Sequence, residues 1–359
     1  MKIFYAKDKY WIDKWDQFII NNKCGSHLIL SNWLESYKTY GFEYEIIICL
    51  ENEQIIGGFG AVIAKIAFFK FYILSYGPII SKGNEDKLNA ILEYAGQSAR
   101  KNNCCYMEVV IPYNLDFINN QHLVEKKPDL VLFRDVFLGN KFKYIYSSNG
   151  LNWIDLTHGD LEVFLIGLST KARRNIRASE RKELICKKIT NSEEVRQVYK
   201  LFEENALRGN YAIRDWKSFG ESLQKMINQN KAIILGAYKE NNLKGAILLI
   251  ESGRYYSFII KKKKKEIPDV RAGQFLQLQA IKLSIQNRFD GYNISLGGSK
   301  GVIDFKNEFN PQSILFENSK YHWIIKPIHF KIFLIVEKYM NPHKKKISKI
   351  LTFLVNRKV

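Results

Sequence analysis

The sequence predicts a mixed α/β (α+β, mixed-sheet) protein made of two similar domains in tandem. Two observations carry this. At 359 residues the chain is long for one hydrophobic core and fits about two domains. A unit of hairpin, strand, helix and strand then occurs twice in the same order. Hydrophobic residues at 46%, with 14% aromatic, suffice for packed cores and argue against disorder.

In the first unit, Tyr10–Asn22 places Trp11, Ile12, Trp15, Phe18 and Ile19 at helical spacing, and Leu28–Tyr40 is predicted as a second helix bearing Trp33 and Lys38. Tyr44–Leu50 reads as a buried strand, Glu51–Gln54 as a turn and Ile55–Ile66 as the returning strand. Tyr72–Ile80 adds a strand, Lys87–Asn102 an amphipathic helix and Cys104–Ile111 a further strand. Val131–Leu138 and Lys141–Ser147 are predicted to close the first domain, with Ser148–Gly150 as linker.

Trp153–Leu156 opens the second unit as a strand. Asp160–Leu168 and a basic segment after Ser169 and Thr170, either of which can cap it, read as helices, as do Ser192–Asn205 and Asp215–Asn228. The repeat follows: Lys231–Tyr238, a turn at Lys239–Asn242 and Leu243–Glu251 reproduce the first hairpin, with Gly245-Ala246 matching Gly57-Gly58. Tyr255–Lys261, Ala272–Asn287 and Tyr292–Leu296 then match the strand, helix and strand. Ser313–Phe316 and Tyr321–Ile325 are predicted strands, and His329–Met340 a helix with a broad apolar face. Lys344–Val359 mixes Lys and Arg with Ile347, Ile350, Leu351, Phe353 and Leu354, a pattern suited equally to an anionic bilayer and to docking on the protein body. The domains are expected at 1–148 and 149–318, with 319–359 a C-terminal segment.

A net charge of +19 points to an anionic partner, whether a nucleic acid, a phosphorylated substrate or an acidic membrane surface. Cys24, Cys49, Cys104, Cys105 and Cys186 form no C-x-x-C pair, which suits a reduced compartment. Met1–Tyr10 lacks the apolar core of a secretory signal and no run approaches a membrane span, so a cytoplasmic protein is expected. The six histidines show no metal-ligand spacing, and no metal is expected. There is no G-x-S-x-G elbow and no Walker loop. Val270–Leu276 stands where an acetyl-coenzyme A loop would precede a helix but lacks the glycines that cradle a pyrophosphate.

Chemistry is expected around Ile294–Phe309. Gly297, Gly298 and Gly301 let a ligand approach the backbone closely, and the segment delivers one cation, Lys306, between the aromatics Phe305 and Phe309 on what reads as a loop. Asp304 and Glu308 flank that lysine as candidate partners. Arg173, Arg174, Arg177 and Arg181 lie on the basic helix, with 174, 177 and 181 on one face suited to phosphates. The run Lys261–Lys265 reads as a solvated hairpin end.

The Gly297-Gly298 pair followed by F-K-x-x-F at Phe305–Phe309 resembles the signature of the FemA/FemB/FemX family of aminoacyl transferases that build peptidoglycan cross-bridges. Lys171–Lys182 resembles the family's K-x-R-R-N-I-R helix, Trp33 with Lys38 and Gly41 its N-terminal segment, and Leu235–Ala246 its hairpin. The resemblance implies a tandem of two Gcn5-related (acyl-CoA) N-acyltransferase-like domains, the chain returning to the first domain after residue 318. Lacking a long charged helical insert, the chain is similar to the shorter FemX-like members. The resemblance further implies that Lys306 stabilises charge during transfer, that Phe305 lines the same site, and that Lys38, Arg214 and Tyr256 contact a nucleotide-linked muropeptide.

The reading that follows is a cytoplasmic transferase, with peripheral contact at the inner membrane face as an added expectation. It would move an aminoacyl or acyl group onto an amine of a nucleotide- or lipid-linked cell-envelope precursor (peptidoglycan or surface glycan), with aminoacyl-tRNA as donor and no bound cofactor. The alternatives are an acyl-CoA-dependent N-acyltransferase modifying polysaccharide sugars or amino acids, and a noncatalytic membrane- or RNA-binding protein.

Overall fold

The computed structural model describes residues 1–112, 145–209, 211, 213–263, 269–316 and 320–340. The first half runs β1 (Lys2–Tyr5), α1 (Lys9–Asn21), α2 (Ser31–Glu35), β2 (Glu43–Glu51), β3 (Gln54–Ile66), β4 (Phe69–Leu74), β5 (Ile79–Ile80), α3 (Leu88–Lys101) and β6 (Tyr106–Val110). The second runs β7 (Gly150–Asp155), α4 (Leu161–Ile166), α5 (Thr170–Glu180), β8 (Ile185–Ile189), α6 (Ser192–Arg208), α7 (Trp216–Asn228), β9 (Ala232–Lys239), β10 (Asn242–Ser252), β11 (Tyr255–Lys263), α8 (Ala272–Gln286) and β12 (Gly291–Asn293). It closes with α9 (Lys300–Asn307), β13 (Gln312–Leu315), β14 (Lys320–Ile324) and α10 (Pro327–Met340). Two mixed seven-stranded sheets result, ordered β1-β2-β3-β4-β6-β14, with β5 on β3, and β13-β7-β12-β11-β10-β9-β8. The mixed α/β class is the one expected.

The duplication is visible in backbone detail. Asn52-Glu53 and Glu240-Asn241 turn the two hairpins with positive φ at both central residues, the geometry that matches strand twist. Each hairpin carries a bulge at the same place: Cys49 pairs with Gly57 but Leu50 with Ile55, and Ala237 pairs with Gly245 but Tyr238 with Leu243. β4 and β6 are parallel, as are β11 and β12. The intervening helices end alike. Asn103 and Arg288 adopt left-handed φ, and Cys104 and Phe289 donate back to Ala99 and Ser284, the Schellman pattern.

The first sheet takes strands from both ends of the sequence, whereas the second is built from β7 to β13. β14 pairs with β6 antiparallel, from Lys320 opposite Val110 to Ile324 opposite Tyr106. Its Trp323 lies on Gly96 of α3, where a Cβ would sit 2.0 Å from the indole. One hydrophobic core joins the halves, from Trp15, Ile29 and Trp33 to Trp153, Phe202, Phe219 and Tyr255. Asp16 and Lys231 form a buried ion pair of 2.6 Å across this seam.

Several elements differ from expectation. Leu28–Tyr40 is broken into two 3-10 turns around the short α2, because Trp33, Leu34 and Tyr37 must all face inward there. Tyr72–Ile80 divides into β4 and β5, and Tyr292–Leu296 shortens to β12, ended by the positive φ of Ser295. Gly150, expected in a linker, begins β7 opposite Leu315. β1 and β8 were not expected; β8 is an edge strand whose Lys187 and Lys188 are not buried, which hides its alternation. The expected strand at Val131–Leu138 and the tail at Lys344–Val359 lie outside the described residues. Of Lys141–Ser147 only 145–147 are described and they are not a strand, and of Lys261–Lys265 only the first three are described, ending β11.

Candidate active site

Lys306 sits on α9, not on a loop. The glycine-containing stretch is shorter than expected, running from Ile294 to Ser299, and the helix starts at Lys300. That last-turn position turns Lys306 inward. The residue is 2% exposed, and its ammonium donates to the Ser295 carbonyl (2.9 Å), the Ser295 hydroxyl (2.8 Å) and the Gly297 carbonyl (2.7 Å). Ser295 presents both oxygens because its φ of +61° folds the chain back after β12. Asn293 fixes that turn, its Oδ1 accepting from the N–H groups of Ser295 and Asn152.

No carboxylate pairs with Lys306 among the described residues. Burial without a counter-ion lowers its pKa from 10.5 to about 8. The Phe258 ring lies 5.7 Å from the ammonium. Phe305 packs on Phe309 and over Gly273 at the start of α8, and the Lys261 ammonium lies 3.3 Å from its centroid. Gly297 and Gly298 are on the surface side of the loop. A Cβ on Gly297 would meet nothing within 4 Å, whereas Gly298, at φ +149°, faces Val302. The Ser299 side chain does not cap α9, whose Val302 and Ile303 N–H groups donate to the Ser299 carbonyl instead.

Glu308, expected as a partner of Lys306, is held elsewhere. It accepts from Asn175 of α5 (3.1 Å) and Gln274 of α8 (3.4 Å), while Asn175 Oδ1 accepts from Arg271 (2.9 Å). The basic helix is thereby tied to the lysine-bearing helix. Arg174, Arg177 and Arg181 are all exposed, with Arg181 at the helix C-cap; Arg177 lies 3.8 Å from Glu162, and Arg173 is partly buried. Ser295, Asn293, Asn175, Glu308's true partners and Arg271 were not singled out from sequence. Asn175 had a visible signal, sitting within the arginine-rich segment, but the turn at Ser295 had none.

A second cluster lies at the seam between halves. Arg214 is 8% exposed, its guanidinium carbon 4.1 Å from the Trp33 ring, 4.2 Å from Tyr37 and 5.1 Å from Phe219. One of its nitrogens donates to Ser36 Oγ. The other terminal nitrogen, Trp33 Nε1 and the Tyr37 hydroxyl are buried and make no hydrogen bond within the described residues. Unpaired buried donors around a cation suit an anionic ligand. His27, edge-on to Trp33, is kept neutral by burial and by Arg214, its pKa falling from 6.5 to about 3. Lys38 shares the 3-10 turn of Ser36 and is exposed, 3.9 Å from Glu35. The structure therefore places Lys38 on the turn that Arg214 packs against, with its ammonium toward Glu35 and Tyr44, and keeps Lys306, Phe305 and the glycines in one segment.

Tyr256 joins neither cluster directly. It is 3% exposed, packed on Phe289, with its hydroxyl accepting from Asn287. It shares a buried cluster with Phe258 of the same strand, so it supports the Lys306 site from the core instead of meeting solvent. A cavity of about 510 Å³ opens at the far end of α8, lined by Thr157, Arg254, Arg288 and Phe289 among others, and contains none of the expected site residues. Among the described residues no group of His, Cys, Asp and Glu is placed to hold a metal, and no helix is long and apolar enough to cross a membrane.

The FemAB family model matches residues 12–238. Among solved structures, FemX superposes with a TM-score of 0.74 at 13% identity, over 92% of this chain and 99% of that one. A conserved protein of unknown function from Bacteroides thetaiotaomicron VPI-5482 gives 0.53 at 12% identity, over 89% and 99%. The C-terminal domain of a putative lysylphosphatidylglycerol synthetase from Agrobacterium fabrum gives 0.51 at 10% identity, over 87% and 90%. No curated protein sequence matches the chain.

Proposed function

The chain belongs to the FemAB family and is an acyl- or aminoacyltransferase, and from that premise we propose that it transfers an aminoacyl group from aminoacyl-tRNA to an amine of a nucleotide- or lipid-linked peptidoglycan precursor in the cytoplasm. The observation that carries the reading is Lys306: a buried ammonium with no counter-carboxylate among the described residues, beside two exposed glycines. Leaving a buried cation unneutralised is costly in a fold and useful where negative charge develops.

In the proposed reaction the acceptor amine attacks the ester carbonyl carbon, its electron pair forming the new C–N bond while the carbonyl oxygen becomes an oxyanion. Collapse breaks the C–O bond to the tRNA ribose, whose oxygen takes the proton lost from nitrogen. The Lys306 charge, beside the N-terminal end of α9, stabilises the oxyanion. Gly297 and Gly298 let the donor carbonyl approach. Arg173, Arg174, Arg177 and Arg181 meet tRNA phosphates, and Asn175 holds their helix in register with α9. Lys38 and Arg214 take the anionic group of the acceptor. The closed start of α8, where Arg271 adopts left-handed φ and bonds Asn175, favours tRNA over an acyl-CoA pyrophosphate.

Mass spectrometry of envelope precursors, with and without the protein, tests this. An increment of one amino acid that requires charged tRNA, and disappears with Lys306→Ala, is expected. An acetyl increment would establish an acyl-CoA donor, and no increment would leave only a binding protein.

A further inference from the structure

We propose that α10 and the β3–β4 turn form a surface that docks on an anionic lipid bilayer. α10 buries Phe330 and Phe333 against Phe69, Phe71 and Tyr106, which satisfies the apolar face of an ordinary surface helix. It nevertheless presents a second apolar stripe to solvent: Ile328 (73% exposed), Ile332 (46%), Ile335 (56%) and Tyr339 (72%), spaced one helical turn apart. Phe68, 84% exposed at the tip of the turn, stands beside Phe69, which itself packs on Phe333. The helix and the turn packed against it thus expose five large apolar side chains between them.

The charges around the patch select the partner. Lys331 and Lys338 are exposed on the helix and Lys65 at the turn, within a chain of net charge +19. Apolar residues that immerse and lysines that reach phosphate headgroups describe a helix lying in a membrane interface, and an exposed apolar stripe along a helix otherwise works against solubility. This docking does not rest on the transferase reading.

Cosedimentation with vesicles tests it. The full-length protein should partition onto vesicles of phosphatidylcholine containing phosphatidylglycerol more than onto phosphatidylcholine alone, with added salt weakening binding. Ile332→Asp, Ile335→Asp and Phe68→Asp should each lower partitioning about tenfold, the exposed side chains leaving the melting temperature unchanged. Lys306→Ala should bind vesicles like the wild type, so a failed transfer assay would not touch this result. Absence of partitioning overturns the proposal, as does equal binding to both vesicle types. So would loss of binding on replacing Lys344, Lys345 and Lys346 by glutamate while Ile332→Asp still binds, or a wild-type dimer in solution that Ile332→Asp dissociates.

Discussion

Lys306 donates a 2.7 Å hydrogen bond to the carbonyl of Gly297, so the residue that supplies charge also shapes the loop beside it. Two parts of the motif that look separate in sequence are one mechanical unit. All three ammonium protons are engaged, by Ser295 twice and Gly297 once, which fixes the cation without neutralising it.

Turnover should therefore fall as pH rises through about 8. Burial takes Lys306 from 10.5 down to about 8, and only its charged form stabilises an oxyanion. Lys306→Arg, which stays charged, should remove that descending limb from the pH–rate profile. The sign for stability is opposite. A folded-state value below the unfolded one means the buried charge costs stability below about pH 8, a cost relieved as pH climbs from about 8 toward 10.5. Urea unfolding across that range should show wild type gaining on Lys306→Met. A rate that instead increases through pH 8 would mean the lysine acts as a base.

Gly297 and Gly298 should respond differently to alanine. At Gly298 the positive φ and the nearby Val302 make Gly298→Ala destabilising by about 1–3 kcal/mol. At Gly297 there is open space, so Gly297→Ala should shift stability by less than about 0.5 kcal/mol. Turnover of Gly297→Ala should still drop, because its methyl group occupies space the donor needs. Melting curves beside initial rates separate the two, and an active Gly297→Ala would remove the loop from the binding surface.

Arg174→Ala and Arg177→Ala should each weaken tRNA binding and flatten its dependence on salt. Removing one phosphate-binding cation should reduce the log–log slope by roughly 0.7–0.9. Filter binding over a salt series measures this, and slopes identical to wild type would make the helix a solvated face.

Asp16→Asn should destabilise the fold by about 3–5 kcal/mol, because it leaves the Lys231 ammonium buried and unpaired. Asp16 also accepts from the N–H and hydroxyl of Ser31, so it pins α1 to the start of α2 as well as to the other half. Adding Lys231→Met to Asp16→Asn should recover much of the loss. A single variant within about 1 kcal/mol of wild type in denaturant titration would show that the seam does not depend on this pair.

The fold was legible where periodicity reports burial. The two hairpins, Lys87–Asn102 and Ala272–Asn287 announce themselves through apolar spacing, and the resemblance at Gly297–Phe309 located the charged residue. What stayed hidden depends on backbone geometry and distant partners. Phe305-Lys306 reads as loop because three glycines precede it, yet the helix begins just before the last of them and leaves Lys306 facing Ser295. Glu308 looks like a counter-ion by adjacency, but α5, far away in sequence, claims it through Asn175. Tyr256 looks available for ligand, and only its packing on Phe289 and its bond from Asn287 show that it is committed to the core.

The pairing of β14 with β6 constrains how the polypeptide is made. β6 is buried along its whole length, and its outer margin is covered by a strand beginning at Lys320, more than 200 residues later. On the ribosome the first sheet must wait, margin uncovered, until residues 320–324 have followed the whole of the second sheet out. A fragment ending before the second half should accordingly aggregate when expressed alone, and become recoverable when the remainder is supplied in trans.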